Sequence, residues 1–175
     1  MHKRAEPTGF PPLTINLQSA MNKIITEITP LSEKDCFYLV DRTKDAFNYP
    51  IHHHAEYELN FVEGCKGAAR VVGDSIEELE DFDLCLVGHG IEHAWTSSRI
   101  REITIQFSSD LFGEALLHKT QMADISRMLD ESGKGIAFSQ KAIMHIYSRI
   151  EKLLKAESGF YQLIEFLQIL HELAV

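Results

Sequence analysis

Between Cys36 and Phe107 the chain breaks into short strand-like segments, spaced too closely for helices to fit between them. The segments are CFYLV (Cys36 to Val40), YELNFV (Tyr57 to Val62), AARVV (Ala68 to Val72), DLCLV (Asp83 to Val87) and REITIQF (Arg101 to Phe107). Each is rich in β-branched or aromatic residues. Tyr49-Pro50, Gly64, Gly73-Asp74, Gly88 and Gly90 supply turn chemistry around them. Such a run predicts a sandwich or barrel. In REITIQF, Ile103, Ile105 and Phe107 share one face, and Glu102, Thr104 and Gln106 share the other. That alternation predicts a wall with one apolar side and one wetter side.

After Ser108-Ser109-Asp110 the period changes. A short helix is expected over Met122 to Leu129. From Lys141 to Leu154, Ile143, Ile146, Tyr147, Ile150 and Leu153 fall at helical spacing, with Ser139 as N-cap. Gly159 reads as a stop before a last helix carrying Phe160, Leu163, Ile164, Phe166, Leu167, Ile169, Leu170 and Leu173. Those residues cover more than half the helix circumference, where packing on one side needs a single stripe. The surplus predicts an antiparallel neighbour plus a second copy of the chain. Ile146, Ile150, Leu163, Phe166, Leu167 and Leu170 are the candidate dimerisation residues.

The 175 residues are 45% hydrophobic and 25% charged, enough for a core without disulfides. Three cysteines, Cys36, Cys65 and Cys85, form no CxxC pair and read as reduced thiols. No apolar run reaches membrane-spanning length, and MHKRAEPTGFPP lacks the apolar core of a secretory signal. The expectation is a loose N-terminal arm and a cytoplasmic protein with no membrane partner. The net charge is -9, with 17 basic against 26 acidic residues. This is a poor surface for phosphate backbones.

The stretch YPIHHHAEYELNFVEG, Tyr49 to Gly64, is the chemically loaded part. On a strand His52 and His54 project together, Glu58 and Asn60 follow with the same parity, and Tyr57, Leu59 and Phe61 take the opposite face. A polar row beneath two histidines suits a cavity. Downstream, VGHGIEHAW brings His93, with Trp95 at the same parity. Two imidazoles, a carboxylate and a distant imidazole form a ligand set for a divalent metal, Zn or Ni before Mg. The same residues equally suit a polar pocket that hydrogen-bonds an organic molecule, and both occupants stay open. Thr104 and Gln106 join the cavity candidates by alternation, and so does one face of the early strand, Phe37/Leu39 or Tyr38/Val40. His118, His145 and His171 have no ligand spacing between them, His53 and His89 read as surface or turn residues, and Glu56 is a weaker substitute ligand.

HHHAEYELNFVEG resembles the first cupin motif, and DFDLCLVGHGIEHAW resembles the second, with Phe82 and Gly88-His89-Gly90 departing from the usual turn. On that resemblance His52, His54, Glu58 and His93 occupy the metal-ligand positions. From about Asp35 to the C-terminus, the order HHHAEYELNFVEG, EITIQFSSDLF, GKGIAFS and QLIEFLQILHELAV is similar to the N-terminal sensing domain of AraC-type transcription regulators. The resemblance implies a mostly β fold with C-terminal α: a cupin-like double-stranded β-helix (jelly-roll barrel) followed by an antiparallel helix pair. It divides the chain into an arm (1–25), a barrel (26–108) and a helical dimerisation extension (109–175). It also implies a small-molecule effector, with a sugar as the expected class, held by His52, His54, Glu58, Asn60, His93, Trp95, Thr104 and Gln106. The partner is a second copy of the chain, and DNA is reached only through a helix-turn-helix domain that these residues do not include. No catalytic residue is expected. The alternative is a metal-dependent cupin enzyme, an oxygenase or isomerase, with Arg42, Arg70 and Arg101 as possible substrate-carboxylate clamps.

Overall fold

Among the described residues ten strands pair into two five-stranded sheets, antiparallel apart from one short pair, and the C-terminal third is mostly helical. The computed structural model describes residues 24–46, 49–96 and 99–175. Most of the expected arm lies outside the described residues. The strands are β1 (Ile25–Thr26), β2 (Tyr38–Lys44), β3 (His52–His53), β4 (Tyr57–Glu63), β5 (Ala69–Val72), β6 (Ser75–Glu78), β7 (Phe82–Val87), β8 (His93–Thr96), β9 (Ile100–Phe107) and β10 (Ile136–Ala137). One sheet runs β1-β3-β8-β5-β6, the other β10-β7-β4-β9-β2. Here β10 comes from the region expected to be purely helical and pairs with the β7 edge, Ile136 opposite Leu86.

Alternation on the central strands sets the layers. The odd-numbered face of β4 and β9, Leu59, Phe61, Ile103, Ile105 and Phe107, packs with Leu84 and Leu86 of β7 against the helices. The helices are α1 (Gly113–Leu117), α2 (Ala123–Glu131), α3 (Gln140–Lys155) and α4 (Phe160–Ala174). Ser139 caps α3, its side chain accepting from Ala142 N–H. Gly159, expected to end α3, instead begins α4 at φ 135, a conformation that suits glycine. Lys152 pairs with Glu165, and Arg149 with Glu172, so α3 and α4 run antiparallel.

The even-numbered face of the same sheet looks toward the other sheet. One end of this interior is apolar, filled by Val62, Cys65, Val72, Cys85, Val87, Trp95 and Ile100. The other end is a polar cavity.

The helical surplus has a different destination from the one expected. Ile146, Ile150, Phe166 and Leu170 are buried within the chain, so they are core residues and not an intermolecular face. Phe166 packs its ring 4.8 Å from Phe37 and 5.1 Å from Phe107. The last helix touches α2, α3 and the sheet at once, and this three-sided burial accounts for its wide apolar surface. Of the six candidate dimerisation residues, Leu163 and Leu167 keep partial exposure.

Candidate functional site

The cavity encloses about 210 Å³ and is lined by Glu27, Arg42, Lys44, Ala46, Tyr49, His52, Glu58, Asn60, Trp95, Glu102, Thr104 and Gln106. Its floor is set by strand pairing. His52 on β3 lies directly opposite His93 on β8, and their rings stand 4.2 Å apart. His54, two residues on, places its ring 5.0 Å from His93. Its carbonyl accepts from Gly90 N–H, which ties the β7–β8 turn to the floor; Gly90, at φ 75, makes that turn possible. The three histidines are buried, and each offers a nitrogen within 4.8 Å of the others.

The tautomers follow from the backbone. Nδ1 of His52, His54 and His93 faces the carbonyl oxygens of Pro50 (3.0 Å), Glu56 (3.1 Å) and Ile91 (2.8 Å) respectively. A carbonyl only accepts, so each Nδ1 carries the proton, and a neutral ring presents an Nε2 lone pair. Metal-ligating imidazoles are oriented in this way.

Glu58 rises from the opposite sheet against this cluster. Its carboxylate stands 3.1 Å from His54 Nε2 and 3.8 Å from His93 Nε2. It accepts from Asn60 Nδ2 at 2.8 Å and Gln106 Nε2 at 3.0 Å. Burial would raise its pKa, but the contacts with His54, His93 and Asn60 outweigh burial and hold it below the usual carboxylate range. Burial likewise opposes charge on His54, yet the bond and charge of Glu58 win and its pKa is raised. His93 goes the other way, pushed down by burial to about 4. Its Nε2 is buried and has no hydrogen-bond partner among the described residues. A carboxylate facing lone pairs needs a proton or a cation between them. The three imidazoles and the orphaned nitrogen fit a divalent metal on His52, His54 and His93, with the Glu58 carboxylate beside it.

From the floor a polar stripe climbs to the mouth. Pairing places Gln106 opposite Glu58, Thr104 opposite Asn60 and Glu102 opposite Val62. On the far side of β9, Gln106, Thr104 and Glu102 face Tyr38, Val40 and Arg42, so the even face of β2 is the inner one. Glu102 is buried, and Arg42 Nε (2.8 Å) and Lys44 Nζ (2.6 Å) neutralise it. Asn60 Oδ1 and Thr104 Oγ1 are buried on paired positions without a partner among the described residues. Trp95 Nε1–H donates to Asp83, so the indole lines the wall with its polar edge engaged.

Six of the eight effector candidates, His52, Glu58, Asn60, Trp95, Thr104 and Gln106, line the cavity, while His54 and His93 are buried against His52 and Glu58 outside its lining. Those at a distance are also placed. His53 contacts Thr26 (3.1 Å), His89, His118, His145 and His171 are exposed, and Glu56 holds His54 through its carbonyl. Among the arginines Arg42 reaches the cavity. Arg70 is buried against Asp83 and Glu77 at the apolar end, and Arg101 lies outside with Asp41 and Glu151. Sequence reasoning left out Glu27, Lys44, Tyr49 and Glu102. Glu102 shares the parity of Thr104 and Gln106 and could have been found that way.

No family model and no curated protein matches this chain. Two of the solved structures that resemble it are of ToxT. One is ToxT from Vibrio cholerae, 13% identical over 78% of this chain and 54% of that one, with a TM-score of 0.47. The second is ToxT from Vibrio cholerae O395 bound to (E)-4-(8-methylnaphthalen-1-yl)but-3-enoic acid, 11% identical over 77% and 54% of the two chains, with a TM-score of 0.46. The chain spans about half the length of these structures, and a likeness this distant assigns neither family nor ligand. Among the described residues no helix is long and apolar enough to cross a membrane.

Proposed function

We propose that this chain is the effector-sensing part of an AraC-type transcription regulator, with the cavity of a cupin-like barrel as its effector site and a divalent metal at the floor. The observation that carries the reading is that, of the four buried side-chain atoms without a hydrogen-bond partner among the described residues, Asn60 Oδ1 and Thr104 Oγ1 line the cavity and His93 Nε2 belongs to the histidine cluster beside it. Buried polar groups are almost always satisfied, so these atoms call for a partner in the cavity, a ligand or ordered water. Beside Glu58, His52, His54 and His93 would hold the ion, Zn or Ni by ligand type, which would supply a fixed positive charge and open coordination positions toward the cavity. The wall mixes acceptors (Glu58, Glu102, Asn60 Oδ1) with donors (Arg42, Lys44, Tyr49, Gln106) and the Thr104 hydroxyl, which can do either. That set suits a small hydroxylated effector, a sugar or polyol.

The order of sequence motifs from Asp35 onward supports the regulator assignment. Effector binding would bias how two DNA-binding domains are presented, through a dimer. With four candidate residues committed to the core, dimerisation falls to the outer side of α4, where Phe160 and Tyr161 are exposed and Leu163, Ile164 and Leu167 half-buried. A second reading, a metal-dependent cupin enzyme, draws on the convergence of three imidazole nitrogens beside the cavity.

A thermal-shift screen of monosaccharides and polyols, with Zn²⁺ or chelator, tests the assignment. A ligand that prefers the folded state raises the melting temperature. The reading expects stabilisation by a hydroxylated compound that is larger with metal present. Silence across the screen, together with oxygen consumption by Fe²⁺-loaded protein, would transfer the site to the enzyme reading.

A further inference from the structure

We infer that the outer face of the sheet β1-β3-β8-β5-β6 is the seat of the chain's own N-terminal segment, with Leu13, Ile15 and Leu17 laid on an apolar row that crosses all five strands. The inference is independent of the effector and metal readings. The row follows from register. Ile25 pairs with His52 and His52 with His93, and both histidines are buried in the interior. Their chain neighbours Ile24, Ile51 and Ala94 therefore stand in line on the outer face. Val71 continues the line, opposite Ala94 on one side and Ile76 on the other. Neighbouring strands lie about 4.8 Å apart, so the row is roughly 19 Å long. A groove of about 260 Å³ lies along it, with Asp74 and Glu92 at its rim. The helices pack on the other sheet. Among the described residues the two ends of the row stay open, Ile24 at 46% and Ile76 at 56% exposure. A contiguous apolar line on a sheet face marks a docking surface.

Connectivity, pattern and charge name the occupant. Twenty-three residues precede Ile24, and Ile24 is itself the first residue of the row. The stretch Leu13-Thr14-Ile15-Asn16-Leu17-Gln18 alternates apolar and polar, so in an extended form it offers three apolar side chains on one face. From Leu13 to Leu17 such a segment covers about 13 Å of the row. Residues 18–23 can reach up to roughly 20 Å, enough for the chain to turn back over the sheet from Ile24. Residues 1–23 carry Lys3, Arg4 and Lys23 against Glu6 alone, in a chain whose net charge is -9. The acidic rim of Asp74 and Glu92, with exposed Glu78 on the adjoining edge strand, complements that charge. A second copy of the row would instead set acidic rim against acidic rim.

The test uses the 175-residue chain as wild type, Ile15→Thr, Ile76→Thr and the two combined. Threonine keeps the β-branched shape, and Ile76 is exposed among the described residues, so on an uncovered row neither replacement has a measurable cost. With the segment seated, each single replacement should lower the melting temperature by about 2–4 °C. The double variant should fall no further than a single one, because either change unseats the segment. The shifts should be the same at low and high protein concentration. Methyl cross-peaks from Ile15 and Leu17 to Val71 and Ile76 should appear in the nuclear Overhauser spectrum of wild type. Ile15→Thr without effect, shifts that add in the double variant, or a spectrum without those cross-peaks overturns the inference. Shifts that grow with protein concentration assign the row to a second copy and overturn it as well.

Discussion

Replacing Thr104 by Val should separate what the cavity does for folding from what it does for binding. The Thr104 hydroxyl is buried on the inner face of β9, opposite Asn60, and has no partner among the described residues. Leaving a buried hydroxyl unsatisfied costs about 1–3 kcal/mol, of which cavity water recovers a part. Exchanging the hydroxyl for a methyl removes that cost and keeps the β-branched shape that suits a strand. The free protein should therefore be unchanged or more stable by up to about 1 kcal/mol, roughly 2–4 °C in melting temperature for a chain of this size. Binding should move the opposite way. A ligand group that loses its partner inside the cavity forfeits about 1–3 kcal/mol, an affinity loss of roughly 5- to 150-fold. The assay is a melt of the metal-loaded protein, followed by calorimetric titration with the monosaccharide that most stabilises wild type. A melting temperature lowered by more than about 4 °C, with affinity unchanged, would refute the reasoning. It would mean that the hydroxyl serves the fold.

Phe166→Ala should cost about 3–5 kcal/mol in urea denaturation, at every protein concentration, because the ring is buried inside one chain. A cost that appears only as concentration rises would return Phe166 to an interface. Burial pushes the thiols of Cys65 and Cys85 up to about 12. An alkylating reagent at pH 8 should therefore label the half-buried Cys36 alone in native protein, and all three thiols after urea; fast labelling of a second thiol in native protein would contradict the burial. Gly88→Ala would place a Cβ 2.6 Å from the Ser132 carbonyl oxygen. It should destabilise by about 1–3 kcal/mol and, through the turn that leads to His93, weaken metal binding; unchanged stability and affinity would show that this contact relaxes freely.

The layers of the sheet were legible from alternation alone, since Ile103, Ile105 and Phe107 meet the helices while Thr104 and Gln106 meet the cavity. His52, His54 and Glu58 do meet in the interior, but not by parity along one strand: the chain crosses between β3 and β4, so the histidines and Glu58 approach from facing sheets. The inner face of β2 was not legible, because it depends on a register with β9 that no local pattern encodes. Glu102 was passed over for a related reason. A carboxylate on a strand reads as solvent-facing until Arg42 and Lys44, both far away in sequence, are seen to neutralise it. Glu27 likewise acquires meaning only when β1 pairs with β3. The last helix misled through a sound premise: its apolar surface did need several partners, but α2, α3 and the sheet supply them within one chain. The strand β10 carries too few residues for any period to register.

The account turns on whether the three converging imidazoles hold a cation. Calorimetric titration of chelator-stripped, untagged protein with Zn²⁺ or Ni²⁺ tests this most directly, with Mg²⁺ as comparison. One site per chain is predicted, silent to Mg²⁺ and abolished by His52→Ala combined with His93→Ala. Uptake that persists undiminished in that double variant, or no uptake by wild type, would contradict it.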